Sequence, residues 1–230
     1  RYHLMYYPNV YLLYIFHIHN YMNGNIIWNF IFKSLLNYTY DNWFVSQTVK
    51  TSFAESSKGR VLYNPVDLNF IIKHNSKNSI INVGLVANLL GYKGIDYFVN
   101  SFELLPTSIK KIIEYHVYGN GPELNNLKLL SINNPNIIFH GFVSDVNFYD
   151  NLDILVCASI EEEAFSLVLF EATKNSVPII GIDNVPGCGN LESSKLPESC
   201  VLYFGQEGPG LSEEGIAACT QILGITQSGS

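Results

Sequence analysis

Between Ile80 and Ile182 short runs that are apolar on both faces alternate with segments of helical spacing, and this limits the available folds more than any other feature. Ile80–Ala87 is β-branched and apolar, whereas Gly94–Leu105 places Ile95, Phe98, Val99, Phe102 and Leu105 on one stripe of a helix. The pattern continues with a strand at Ile112–Tyr118, a helix opening at Pro122 and running to Leu130, and strands at Asn136–Phe139 and Leu152–Cys157. A helix over Leu167–Asn175 and a strand over Val177–Ile182 complete it. A strand with no polar face must be covered on both sides, which points to a parallel sheet between helix layers. The expected fold is a doubly wound, Rossmann-like α/β domain, with ligands bound outside the carboxyl ends of the strands.

Composition agrees and removes several alternatives. In 230 residues, a hydrophobic share of 47% fills a sizeable core, and a net charge of -7 gives no footprint for nucleic acid. The early apolar run Val10–Phe16 falls well short of the ~20 residues of a spanning helix. The cysteines, Cys157, Cys188, Cys200 and Cys219, form no CxxC pair and lack metal-ligand spacing, so a reducing cytoplasmic setting is expected. The chain opens on Arg1, and the start of a longer protein is expected to be missing.

Three loops occupy positions where such a sheet binds ligands. "NLLGYKG", Asn88 to Gly94, puts Lys93 beside two glycines at a helix start, a place that suits phosphate. "YGNGPE", Tyr118 to Glu123, follows the next strand with Gly119 and Gly121. "EEEAFSLVLFE", residues 161 to 171, sets Glu163 and Glu171 eight positions apart around an apolar run, where an unpaired carboxylate would cost several kcal/mol. Each loop alone is weak; their order is the signal.

That ordered set resembles glycosyltransferase family 4, from about Asp41 to Asp183. The matching segments are "WFVSQTVKTSF", "VLYNPVDLNF", "GLVANLLGYKGIDYFVNSF", "YHVYGNGPE", "IIFHGFVSDV", "LDILVCAS" and "EAFSLVLFEATKNSVPII". The resemblance implies the carboxyl-terminal domain of a GT-B enzyme, which transfers a sugar with retention from a nucleotide-sugar donor, here a UDP- or GDP-sugar, without a required cofactor. It implies that Glu171 holds the ribose, that Glu163 lies by the donor sugar, and that Lys93 neutralises the departing diphosphate. The catalytic pair is then Glu163 and Lys93, with Gly119, Gly121 and His140 as further donor contacts, His140 near the base. Either His17 or His19 corresponds to an amino-domain histidine facing the sugar. No D-x-D occurs, in keeping with a metal-independent enzyme. The resemblance leaves the acceptor unidentified, a glycan or a lipid-linked acceptor, and peripheral association with the inner face of a membrane is an expectation of the same kind. The family's arginine ahead of the lysine is replaced by Ala87, Leu90 or Gly91. The amino-terminal domain is cut to about 65 residues, against the ~100 to 200 of a full unit, so activity in this chain is in doubt.

Composition then shifts. Residues 1–184 hold 24 of the 25 Asn, whereas 185–230 hold 8 of the 17 Gly, three of the four Cys, and five acids against one base. "LPESCVLYFGQEGPGLSEE" reads as a strand, a glycine-rich turn and a helix capped by Ser212. From about Ile180 to Ser230 the sequence resembles SpoU-type RNA 2'-O-methyltransferases, through Phe204, Gly205, Glu207, Gly208, Gly210, Leu211 and Ser212. That resemblance implies S-adenosylmethionine bound through Gly205, Glu207, Gly208 and Gly210. The family's earlier Asn/Arg motif is missing and the third motif is not reached, so no methyl transfer is expected. The reading is therefore three segments: 1–65, a remnant of the GT-B amino-terminal domain; 66–184, the nucleotide-sugar domain; and 185–230, a partial SpoU-like α/β tail. A chimeric seam is expected between Pro178 and Pro186.

Overall fold

The computed structural model describes residues 2–5, 13–18, 34, 41–44, 49–51, 59–62, 80–144, 146–160, 169, 177–206 and 208–226. The chain divides into two compact units, Arg1–Val66 with Glu163–Leu167, and Asp67–Glu162 with Val168–Ser230.

The first unit carries a sheet in the order β1 (Tyr2–Met5), β2 (Leu13–Ile18), β3 (Asp41–Phe44), β4 (Arg60–Val61). β1 runs antiparallel to β2, and β2, β3 and β4 are mutually parallel. The Asp41 carboxylate accepts from Trp43 Nε1 within β3 at 2.9 Å and from Arg60 Nε at 2.8 Å, the second a charge-assisted bond that ties β3 to β4.

The second unit is built on a parallel sheet of β5 (Ile81–Val86), β6 (Ile113–Tyr118), β7 (Ile137–Gly141), β8 (Ile154–Cys157), β9 (Ile179–Ile182), β10 (Gly189–Asn190), β11 (Cys200–Phe204) and β12 (Gln221–Gly224). Across the sheet the order is β10-β12-β9-β11-β8-β5-β6-β7. Five of these strands match those expected from Ile80 to Ile182, as do helices α1 (Ile95–Leu104) and α3 (Leu124–Leu130); α2 (Thr107–Lys110) is a single added turn. The expected helix over 167–175 lies outside the described residues apart from Leu169, which is helical and buried.

The strand period of two separates the faces of β5–β7. Val83, Leu85, Tyr115, Val117 and Ile137 point to one side and pack with Ile95, Phe98, Val99, Phe102 and Leu127 of α1 and α3. Tyr115 anchors this layer, stacked on Phe98 at 4.4 Å between centroids and edge-on to Phe102 at 5.2 Å. On the opposite face Leu152 lies over Gly84, where a Cβ would collide with it, and joins Tyr118, Tyr149, Leu155, Leu169, Ile179 and Val201.

The tail does not hang from this domain. β11 lies between β8 and β9, pairing Leu202 with Val156 on one side and with Ile180 on the other. β12 covers the far side of β9. β9 is thus flanked by two strands that follow it in the chain, and its isoleucines are almost fully buried. Its all-apolar sequence is what that doubly covered position requires. Ser212 caps α4 (Glu213–Ala218) as expected, its Oγ accepting the Gly215 N–H at 3.1 Å.

Candidate functional site

The order of the sheet reverses direction at β5: the chain moves outward through β6 and β7, then returns to β8 on β5's other side. A crevice outside the carboxyl ends of β5 and β8 is the expected place for a ligand. Lys93 stands there. It ends the 3-10 turn Gly91–Lys93, its N–H bonded to the Leu90 carbonyl at 3.0 Å, and its Nζ lies 5.3 Å from the centroid of the Tyr92 ring. Burial pushes the Lys93 ammonium below its ordinary pKa, and its electrostatic coupling to Cys157 places it by the last residue of β8. Burial in turn pushes the Cys157 thiol up to about 12, Lys93 opposing, so this thiol is neutral at physiological pH and is no nucleophile.

The loops along this rim are joined through their backbones. Ala87 N–H donates to the Tyr118 carbonyl at 3.1 Å, Leu89 N–H to Asn120 at 3.0 Å, and Glu123 N–H to Leu89 at 3.2 Å. Gly119 N–H donates to Gly141 at 2.7 Å and Ile160 N–H to Tyr92 at 2.8 Å, so the loops after β5, β6, β7 and β8 form one connected band. Glycine is required where they meet. A Cβ on Gly119 would fall on the Ala87 carbonyl oxygen, and one on Gly94 on that of Ala158, with φ at 131° and 66°. Gly121 is pressed against the Leu89 backbone in the same way.

His140, near the end of β7, lies flat against Tyr118 with ring centroids 4.3 Å apart and 6° between planes. Its Nε2 is 3.0 Å from His116 Nδ1, and His116 Nε2 is 3.1 Å from Asn82 Oδ1. Asn82 is held in turn by Asp153, whose Oδ2 accepts from its backbone N–H at 2.7 Å and from its Nδ2 at 3.3 Å. Reading the sequence missed Asn82, His116 and Asp153. The signal was there in "EYHVY", where a polar residue alternates with apolar ones in a strand otherwise read as buried on both sides.

Lys93, Gly119, Gly121 and His140 therefore share one rim. Glu163 and Glu171 lie outside the described residues, as do His19 and Glu207. The remaining tail candidates, Gly205, Gly208 and Gly210, gather at the ends of β9 and β11. There Gln206 and Gly210 exchange backbone hydrogen bonds at 3.1 and 3.0 Å, and Leu211 N–H donates to Asp183 Oδ2 at 2.8 Å. Among the described residues no group of acids, histidines and cysteines could hold a metal ion.

A parallel sheet with a half-buried lysine, close glycine turns and an imidazole on one rim defines a Rossmann-type ligand-binding domain. Comparison with known proteins narrows the class. The model of glycosyl transferases group 1 matches residues 69–195, more than half of the chain, and the chain belongs to that family. The match passes beyond Pro186, the far end of the seam expected from composition. An uncharacterized glycosyltransferase of Haemophilus influenzae is 26% identical over 158 residues, covering 66% of this chain and 44% of that protein. Among solved structures, HepE from Anabaena in complex with UDP and glucose has a TM-score of 0.62 at 18% identity, covering 74% of this chain and 52% of that one. A glycosyltransferase from Rickettsia africae has a TM-score of 0.55 at 18% identity, covering 88% and 58%. These likenesses place the fold among GT-B glycosyltransferases. The chain spans about half the length of these relatives.

Proposed function

We propose that this chain is the donor-binding part of a retaining glycosyltransferase that takes a hexose from a UDP- or GDP-sugar. The observation that carries the reading is the position of Lys93, a partly desolvated ammonium at the crevice between β5 and β8, where the loops are stitched into a fixed band. A fixed positive charge in a dry, preorganised setting acts most strongly on the charge that develops on a leaving diphosphate. HepE and a pneumococcal O-GlcNAc transferase, both of related fold, were solved with UDP and a sugar, which supports a nucleotide sugar as ligand.

In this reading Lys93 stabilises the departing diphosphate, Glu171 accepts from the ribose hydroxyls, Glu163 faces the donor sugar, and Gly119, Gly121 and His140 border the nucleotide. No metal or other cofactor is needed, because the lysine supplies the positive charge. The acceptor in this reading is a glycan or a lipid-linked molecule, met on the cytoplasmic face of a membrane; no helix among the described residues is long and apolar enough to cross one. Isothermal titration with UDP, GDP and their sugars tests the donor reading. Saturable binding weakened by Lys93→Ala and by Glu171→Ala is expected, with S-adenosylmethionine failing to bind. Binding of the methyl donor alone reverses the assignment in favour of the methyltransferase alternative.

A further inference from the structure

The even-numbered face of β5, β6 and β7 carries a polar chain whose hydrogen-bond directions are fixed from one end. An ionised carboxylate only accepts, so the Asn82 amide nitrogen must be the atom turned to Asp153 Oδ2, at 3.3 Å. Asn82 Oδ1 is then left as an acceptor, and His116 Nε2, 3.1 Å away, must donate to it. A neutral imidazole with its proton on Nε2 has a lone pair on Nδ1. His140 Nε2, 3.0 Å from that atom, must therefore be the donor, which leaves the lone pair of His140 on its own Nδ1. Each assignment follows from the one before, and the sequence of donors ends at an exposed ring on the rim.

The place of that ring suits one portion of a nucleotide. His140 precedes Gly141, whose carbonyl holds the Gly119 N–H in the loop after β6. Lys93 sits at the crevice between β5 and β8, and the order β8-β5-β6-β7 puts that crevice two to three strand spacings, about 10–14 Å, from β7 and His140. That is the reach from a nucleobase to the second phosphate of an extended nucleotide.

We propose that Asp153, Asn82 and His116 are positioning residues that make His140 Nδ1 an acceptor for the ring N–H of the donor's base, selecting uracil or guanine over cytosine or adenine. The proposal rests on the nucleotide-sugar reading and adds its base specificity. Uracil and cytosine have the same size and differ at ring nitrogen 3, which carries a proton in uracil and a lone pair in cytosine. A fixed acceptor pairs with the first and repels the second.

The chain also has a proton-driven reversal. If His116 is protonated, its Nδ1 donates, His140 Nε2 must accept, and the His140 proton moves to Nδ1, turning the rim atom from acceptor to donor. Burial holds His116 below its ordinary pKa, the His140 charge adds to this, and Glu114, 3.8 Å from His116 Nε2, opposes it. Burial also lowers His140. The titratable groups around the pair are Glu114 and Tyr118 on β6 and Asp153 ahead of β8, and Asp153 reaches it through Asn82. The acceptor form is thus the one present at neutral pH.

The test combines two readouts on the 230-residue chain. Long-range nitrogen–proton NMR of histidine-labelled protein should show both rings as Nε2–H tautomers, without any nucleotide present. Competition titration should show UDP binding about ten-fold tighter than CDP at neutral pH, with the ratio falling toward one in His140→Phe and in acid. His116→Phe, which keeps a ring on the same face, should release the His140 tautomer and lower the ratio while UDP still binds. An Nδ1–H tautomer on either ring overturns the proposal, as does a UDP-to-CDP ratio that His140→Phe leaves unchanged. If UDP binds and Lys93→Ala weakens it while the ratio is unaffected, the donor reading stands and the base assignment falls. If no nucleotide binds the wild-type chain, both fall.

Discussion

At the ends of β5 and β6 the glycine turns hold neighbouring loops together by backbone bonds, and the Lys93 ammonium and, from β7, the His140 imidazole are among the side chains of the rim. At the ends of β9 and β11 the glycines serve a loop that closes on itself. Gly210 lies against the Asp183 carboxylate, which takes up the Leu211 N–H, while Gln206 and Gly210 bond to each other across the turn. Density of glycine at strand ends is the same sequence signal in both places. What separates them is the charged group: the second rim's Asp183 carboxylate takes up a backbone N–H of its own loop, whereas the first rim presents an ammonium.

The largest expected effect comes from the backbone contacts of the first rim. Gly94→Val and Gly119→Val each place a β-branched side chain at positive φ and on top of a carbonyl, and each should cost about 3 kcal/mol or more in urea unfolding. Gly208→Val, also at positive φ but in open space, should cost about half as much; equal losses would erase the contrast. Next comes Lys93→Ala, expected to weaken nucleotide binding ten- to a hundred-fold, about 1.5–3 kcal/mol, with a small change in Tm. Asp183→Ala should do the reverse, losing about 1–2 kcal/mol of stability by stranding the Leu211 N–H while nucleotide affinity holds. An affinity loss there would make the second rim part of the ligand site. Ser212→Ala, which removes the cap of α4, should cost about 1 kcal/mol by the same unfolding measurement.

The smallest effect is a slope. His116 and His140 are both held below the ordinary 6.5 in the folded chain, so the unfolded chain binds more protons just below that pH. Stability should rise with pH through this window and fall in acid, and His116→Phe should flatten the curve. An unchanged slope would mean that the polar face contributes nothing to folding.

The strands from β5 to β9 were legible because their apolar content and spacing are local properties, and the starts of α1 and α3 were marked by Gly94 and by the turn at Pro122–Glu123. Lys93, Gly119 and Gly121 could be placed at the strand ends from the sequence because their loops follow strands directly. The insertion of β11 between β8 and β9 was not legible. Every strand of a buried parallel sheet looks alike from its sequence, and which neighbour it takes depends on the connections between strands rather than on the strand itself. The short pairing of β10 with β12 went unseen for the related reason that Gly189 and Asn190 have no strand propensity of their own. The chain from Asp153 to His140 escaped because its members come from β5, β6, β7 and the turn before β8, and only the register brings them together.

Placing β11 between two earlier strands also sets an order of assembly. A nascent chain leaves the ribosome with β8 and β9 already made and the strand that separates them still to come. Until Cys200–Phe204 arrives, both carry open hydrogen-bonding edges, and if they paired with each other they would have to part again before the native sheet could form.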